Sequence, residues 1–163
     1  MKPTLEAFRL GAVKLRPITE ADLDLTLSWR NRDDVRIWFR TSQRIEPSQH
    51  RAWFAQYASK DDDLVFVVEF EGAPVGQVSV YHINRADRTA EVGRFITAPE
   101  ARGRGLMDRA CEELLRFCAD ILQLDSVCLE VKEDNDRAIG LYLRHGFKEE
   151  GRRDGFVRMR RTP

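Results

Sequence analysis

Arg102-Gly103-Arg104-Gly105-Leu106 sets two glycines and two arginines between a strand-like run, Glu91 to Ile96, and an amphipathic run from Leu106 to Leu122. The first turn of a helix has backbone N–H groups with no internal partner and carries the positive end of the helix dipole. Glycine lets that backbone approach an anion closely. A basic glycine turn that opens a helix therefore suits a phosphate or pyrophosphate; the competing reading is a flexible turn with solvated arginines. Other groups able to do chemistry are sparser. Asp61-Asp62-Asp63 reads as a solvated loop, with a cation site as its alternative. His50 and His82 carry imidazoles, which as a class change charge near neutral pH, but neither has a sequence neighbour that assigns it a role. Cys111 and Cys118 fall on the apolar side of one expected helix and read as small buried hydrophobes. No His/Cys cluster has metal-ligand spacing, so no metal is expected.

The elements that must position the glycine turn follow from periodicity and punctuation. Val13-Lys14-Leu15-Arg16 alternates and stops at Pro17, which predicts a first strand. Thr19-Glu20-Ala21-Asp22 resembles a capping box and opens a helix through Leu23, Leu27 and Trp29. Asn31 to Asp34 interrupts it, and Val35 to Phe39 predicts a short helical turn. Pro47 suits a first helical position, with Trp53, Phe54 and Tyr57 on the face that follows. A meander of strands comes next: Leu64 to Phe70, Pro74 to Ile83 and Thr89 to Ile96. The glycine turn and its helix, Leu106 to Leu122, lead to a strand at Ser126 to Lys132 and a helix at Asn135 to His145, closed by Gly146. Phe147 to Arg152 and Phe156 to Arg160 make a terminal hairpin around Asp154-Gly155. This order predicts one α/β (α+β) domain over residues 1–163.

Composition narrows the function classes. With 163 residues, 42% hydrophobic and 33% charged, the chain reads as a soluble globular protein with a real core. Its formal net charge of +0 gives no global reason to bind nucleic acid or an anionic membrane. The tail arginines Arg152, Arg153, Arg158, Arg160 and Arg161 fall on the expected hairpin of a neutral protein, a weak basis for nucleic-acid binding. No apolar run approaches a membrane span, and no signal-peptide core stands at the N-terminus. An odd count of three cysteines without a CxxC pair then points to a reducing, cytoplasmic setting.

Residues 89 to 150 resemble the core of the GNAT superfamily of acetyl-CoA-dependent N-acetyltransferases. Arg102-x-x-Gly105, after the lead-in Ile96-x-x-Pro99, is similar to that family's pyrophosphate loop. Val131, Asn135, Ala138, Leu141-Tyr142 and Gly146-Phe147 are similar to its second signature. Met107 departs from the small residue usual at the loop's end; its side chain can turn toward the core. The resemblance implies a mixed, mostly antiparallel sheet of about seven strands flanked by about four helices, with a splayed V between the two middle strands. It implies acetyl-CoA as acetyl donor, held by Arg102, Gly103, Arg104, Gly105, Leu106 and Met107 at the pyrophosphate. The backbone of Phe95, Ile96 and Thr97 would pair with the pantetheine arm like an added strand. Asn135 would bond the same arm, cap its helix, or both.

The implied reaction is direct acetyl transfer to a primary amine, which must lose a proton to attack. A backbone N–H on the splayed strand can stabilise the oxyanion. Tyr142 resembles the family's general acid, against the alternative of an aromatic that only packs its helix. Glu130, twelve residues before Tyr142, and Glu91 on the middle strand are competing candidates for the base, with a water chain as a third. Alternation gives each carboxylate one face of its strand without saying which face meets substrate. The N-terminal third carries Trp29-Arg30-Asn31 and Val35-Arg36-Ile37-Trp38, a pattern similar to acetyltransferases of nucleotide-linked amino sugars. Indoles can stack on a sugar or base, and Arg30 or Arg36 can pair with a diphosphate; core tryptophans and solvated arginines are the alternative. The expected order of acceptors is amino sugar, then protein N-terminus, then polyamine. A non-catalytic acyl-CoA-binding module is the reading from another class. A second copy of the chain, as a homodimer, is the macromolecular partner left open.

Overall fold

The computed structural model of the protein describes residues 2, 4–9 and 11–162. Its first strand, β1 (Val13–Pro17), buries Val13 and Leu15 and ends at the proline, whose ring nitrogen has no N–H for a further ladder bond. Thr19 then caps a 3₁₀ turn, Glu20–Asp22, and its backbone N–H donates to Asp22 Oδ2 at 2.8 Å. The expected helix follows as α1 (Leu23–Arg30). The next helical turn is α2 (Asp33–Arg36), two residues earlier than Val35. Its two aspartates occupy the first turn, where the helix dipole favours carboxylates. Helix α3 (Pro47–Tyr57) starts at its proline and lays Trp53, Phe54 and Tyr57 against Val65 and Val67 of the sheet.

Three antiparallel strands follow: β2 (Asp63–Phe70), β3 (Ala73–Asn84) and β4 (Thr89–Thr97). Asp63 corrects the expected solvated loop. It begins β2, is buried, and forms an ion pair with Arg94 at 2.8 Å. Helix α4 (Leu106–Arg116) gives way to a wider π turn over Phe117–Ile121, where Leu122 N–H donates to Phe117 O at 3.1 Å. The expected single helix to Leu122 therefore changes winding near its end. Strand β5 (Ser126–Lys132), helix α5 (Asp136–Arg144) and the hairpin β6 (Lys148–Arg153) and β7 (Phe156–Arg161) complete the chain.

All seven strands form one sheet in the order β1-β2-β3-β4-β5-β7-β6. Every neighbouring pair is antiparallel except β4 with β5. Helix α4 presents Ala110, Cys111, Leu114 and Cys118 beyond its end to the main core, and all three cysteines are free and buried. Burial pushes the Cys111 and Cys118 thiols up to about 12, which suits small apolar packing groups rather than reactive ones. The outer strand β6 is exposed along its whole length, and its charged residues discourage edge-to-edge pairing. No helix among the described residues is long and apolar enough to cross a membrane.

Candidate active site

The site begins where the sheet comes apart. β4 and β5 pair only through Thr89–Ser126, Ala90–Val127 and Glu91–Cys128. Beyond Glu91 the two strands diverge, although β4 continues to Thr97 and β5 to Lys132. The register between β3 and β4 supplies a cause. Gln77 faces Ile96 and Ser79 faces Gly93, so β4 spends one residue more than β3 across that step. The extra residue makes a bulge, with Arg94 in the left-handed region at φ 56. Arg94 is held there by Asp63 and by the Tyr81 ring, 4.2 Å from its guanidinium carbon. Gly93 is needed beside it, since a Cβ there would stand 2.6 Å from the Tyr81 hydroxyl.

A cavity of about 1110 Å³ occupies the opening. One end is the glycine turn. Gly105 sits at φ 69 as the residue before α4, Gly103 at φ 74, and a Cβ on either would meet nothing within 4 Å. Both glycines therefore border open space, and the first-turn N–H groups of α4 have no internal partner, as suits an anion. Arg102 lines the cavity and pairs with Asp34 at 2.7 Å. Arg137, in the first turn of α5, also lines it and has no ion-pair partner among the described residues. Arg104 turns away, its guanidinium over the Phe70 ring at 5.3 Å, and the Leu106 side chain is in the core, so these two can contribute only backbone. Met107 does turn inward. Its Cε lies 3.3 Å from where a Cβ on Gly76 would stand, leaving one edge at the cavity. Asp108 lines the same end, with its charge covered by Arg144 at 3.1 Å and His145 at 3.2 Å. Burial would raise the Asp108 carboxyl, but those two hydrogen-bond partners outweigh it and hold it below the ordinary range.

Phe95, Ile96 and Thr97 form one wall. Across the V, Asn135 accepts a hydrogen bond from Ala138 N–H at 3.2 Å, so its capping role is realised, while its amide group remains at the cavity. Tyr142 rises from α5 between these walls, 7% exposed, with its ring against Phe95 and Phe147 at centroid distances of 5.6 and 5.8 Å. Burial first, then the neighbouring Cys111 and Tyr81, pushes its hydroxyl well above the usual tyrosine range. It stays protonated and can donate a hydrogen bond into the cavity.

Both candidate carboxylates line the cavity, in different company. Glu130 forms ion pairs with Arg40 and with Arg158, the latter at 3.5 Å. Glu91 bonds the His82 imidazole, with Oε1 3.2 Å from Nδ1. Of the residues expected to meet the acceptor, Arg30 and Trp38 line the cavity and Trp29, Asn31 and Arg36 do not. Trp29 is 2% exposed in the core. Asn31 spends its amide on both backbone groups of Ile45, and Arg36 binds Asp33 and the Ser42 carbonyl. None of these three side chains faces the cavity: each is committed to packing or to loop closure. Arg30 is different. It is 8% exposed, its Nη2 donates to the Thr41 carbonyl, it stacks on Phe39 at 4.1 Å, and its Nη1 has no hydrogen-bond partner. Sequence reasoning assigned nothing to Arg40, Arg94 or Phe39 and left His82 without a role.

A glycine turn at a helix start, a β4 edge unpaired beyond Glu91 and a tyrosine between them fit the needs of a coenzyme-A-dependent acyltransferase. The chain belongs to the acetyltransferase (GNAT) domain family, whose description matches residues 12–148. It is 32% identical over 143 residues to the spermidine N(1)-acetyltransferase of Escherichia coli K12, covering 86% of this chain and 75% of that one. It is 31% identical over 104 residues to the putative ribosomal N-acetyltransferase YdaF of Bacillus subtilis, covering 63% and 56%. Among solved structures, the spermidine N-acetyltransferase of Vibrio cholerae in complex with CoA and spermine superposes with a TM-score of 0.84 at 25% identity, covering 93% of this chain and 95% of that one. The protein is thus an N-acetyltransferase, and acetyl-CoA is its acetyl donor.

Proposed function

We propose that the chain transfers acetyl from acetyl-CoA to a primary amine of a polyamine-class acceptor. Kinship to the E. coli spermidine enzyme over 86% of the chain carries this reading. It reverses the order of acceptors expected from the N-terminal tryptophans: Trp29 lies in the core, and Trp38 of the pair lines the cavity. Of the four carboxylates at the cavity, Asp108 is covered by Arg144 and His145 at the glycine-turn end, which leaves Glu91 and Glu130, with Asp34 beside Arg102, to receive a polycation. In this reading the first-turn backbone of α4, with Arg102 and Arg137, holds the pyrophosphate. The Phe95–Thr97 edge and Asn135 hold the pantetheine arm. Tyr142 donates a hydrogen bond to the sulfur as the thioester breaks.

A second reading is an amine that carries phosphate, such as a nucleotide-linked amino sugar. One observation favours it: the buried Arg30 guanidinium, whose unpartnered Nη1 would gain most from an anion. A CoA-release assay across spermidine, spermine, N-terminal peptides and nucleotide-linked amino sugars separates the two. The highest kcat/KM is expected for a polyamine; a clear preference for a phosphate-bearing amine would replace the first reading by the second.

A further inference from the structure

We propose that His82 takes the proton released by the attacking amine, and that Glu91 positions His82 for this. The proposal concerns the acetyl transfer itself and holds for whichever amine is the acceptor. It starts from a second bulge in the sheet. Tyr81 faces Glu91 and Asn84 faces Thr89, so here β3 spends the extra residue. His82 occupies it at φ 49. In a regular strand His82 would point to the face opposite Tyr81. The bulge instead leaves both side chains at the cavity and brings His82 Nδ1 within 3.2 Å of Glu91 Oε1.

That contact fixes the chemistry available. A carboxylate can only accept, so Nδ1 is the donor, and in the neutral ring Nε2 is left with a lone pair. The ring is largely exposed, which gives an accepted proton a route to water. Of the three other cavity carboxylates, Glu130 is held between the guanidinium groups of Arg40 and Arg158, Asp34 between those of Arg32 and Arg102, and Asp108 by Arg144 and His145 at the glycine-turn end. Each would have to leave a cation before it could serve an ammonium group. The surroundings of His82 are otherwise quiet. Tyr81 on the same strand packs edge-on at 5.0 Å, with Arg94 and Asp63 paired behind it. Across the V, β5 presents Glu130 with its two arginines and the buried Cys128.

The proton count closes. An ammonium group must lose one proton before its nitrogen can attack the thioester carbonyl, and loses another when the amide forms. His82 Nε2 accepts the first and passes it to water. The C–S bond breaks as the N–C bond is retained, and the second proton ends on the departing CoA sulfur, with Tyr142 as hydrogen-bond donor.

The test compares pH profiles of kcat/KM for wild type, His82→Gln, Glu91→Gln and Glu130→Gln at saturating acetyl-CoA, using the best amine of the screen. His82→Gln should lower kcat/KM near neutral pH by on the order of a hundredfold, leave KM for acetyl-CoA unchanged and flatten the acid limb. Glu91→Gln should also slow the reaction while keeping a limb, because the imidazole remains but its tautomer is no longer fixed. Nitrogen NMR of histidine-labelled protein reads that tautomer with no acceptor present, so it decides the pair even if the polyamine reading fails. The Nδ1–H form is expected in wild type and should be lost in Glu91→Gln. A rate in His82→Gln within about twofold of wild type with its limb intact, an Nε2–H tautomer in wild type, or a limb abolished only by Glu130→Gln would each overturn the proposal.

Discussion

Replacing Gly76 by Ala tests whether the V depends on a close approach of β3 to β4. Gly76 is not in the left-handed region, so its backbone conformation is open to alanine and the effect is steric alone. The added Cβ would stand 2.5 Å from the Ile96 carbonyl oxygen, where ordinary contact begins at 3.4 Å. It would also meet Met107 Cε at 3.3 Å, but that is the end of a flexible side chain and can give. The carbonyl cannot move without its strand. Retreat of β4 by most of an ångström strains the adjoining bond from Ala98 N–H to the Val75 carbonyl, 2.9 Å long. Overpacking of a well-filled site costs about 1–3 kcal/mol and a weakened hydrogen bond about 1 kcal/mol more. The expected loss is about 2–4 kcal/mol, or about 4–16 °C in Tm for a chain of this size. Urea unfolding measures it directly. Ile96 and Thr97 line the cavity, so acetyl-CoA affinity should fall with stability. Adding Met107→Ala should not restore either quantity. An unchanged unfolding midpoint in Gly76→Ala, or full rescue by Met107→Ala, would refute the backbone argument.

Tyr142→Phe keeps the ring that packs on Phe95 and Phe147; kcat should fall by about 10- to 100-fold while calorimetry finds CoA affinity nearly unchanged. Arg94→Ala leaves the Asp63 carboxylate buried without its partner, and chemical denaturation should show a loss of about 3–5 kcal/mol, much of it restored by adding Asp63→Asn. Burial alone would raise the Asp22 carboxyl, yet hydrogen bonds from Arg16 and Thr19 bring it below the ordinary aspartate range. Its contribution is therefore present above about pH 4 and lost as pH falls through the folded value, so Arg16→Met should destabilise more at pH 7 than at pH 2.5 in thermal melts. Arg30→Met should raise kcat/KM for a polyamine and lower it for a phosphate-bearing amine, read in the same CoA-release assay; no change for either would remove Arg30 from acceptor recognition.

What was legible in the sequence is what local physics decides. Pro17 ends a strand because it lacks a donor, Thr19 and Asp22 satisfy each other across one turn, and Gly146 closes α5 at φ 86. The glycine turn, too, is local: two glycines at positive φ before a helix read the same in either medium. The opening of the sheet is not local. It depends on two bulges whose left-handed residues are Arg94 and His82, neither of which announces positive φ as a glycine would. Strand alternation was therefore counted through residues that break it. For that reason the contact between His82 and Glu91 could not be read from their spacing, nor could the commitment of Glu130 to Arg40, ninety positions away. Trp29, unlike Trp38 at the cavity, shows a different non-local effect. Trp29 and Arg30 are adjacent on α1 and both buried, because that helix is covered on more than one side; a single amphipathic face could not have placed one in the core and the other at the cavity.

The charge around the cavity now separates two questions that the family resemblance joins. CoA brings several negative charges, and in the proposed reading Arg102 and Arg137, which line the cavity, would meet them. The acceptor end is the place where relatives can differ without losing the donor. There the carboxylates Glu91 and Glu130 each already hold a basic side chain, as Asp34 holds Arg102 toward the glycine turn, while Arg30 holds no carboxylate at all. A polyamine must therefore exchange with His82 or Arg40 for its contacts and tolerate a buried guanidinium nearby. An anion would need no such exchange, since it supplies the partner that Arg30 lacks. A buried, unpaired cation is costly in any folded protein. It persists in this one at the wall of the site rather than in the core behind it, which makes Arg30 the residue through which acceptor choice is best interrogated.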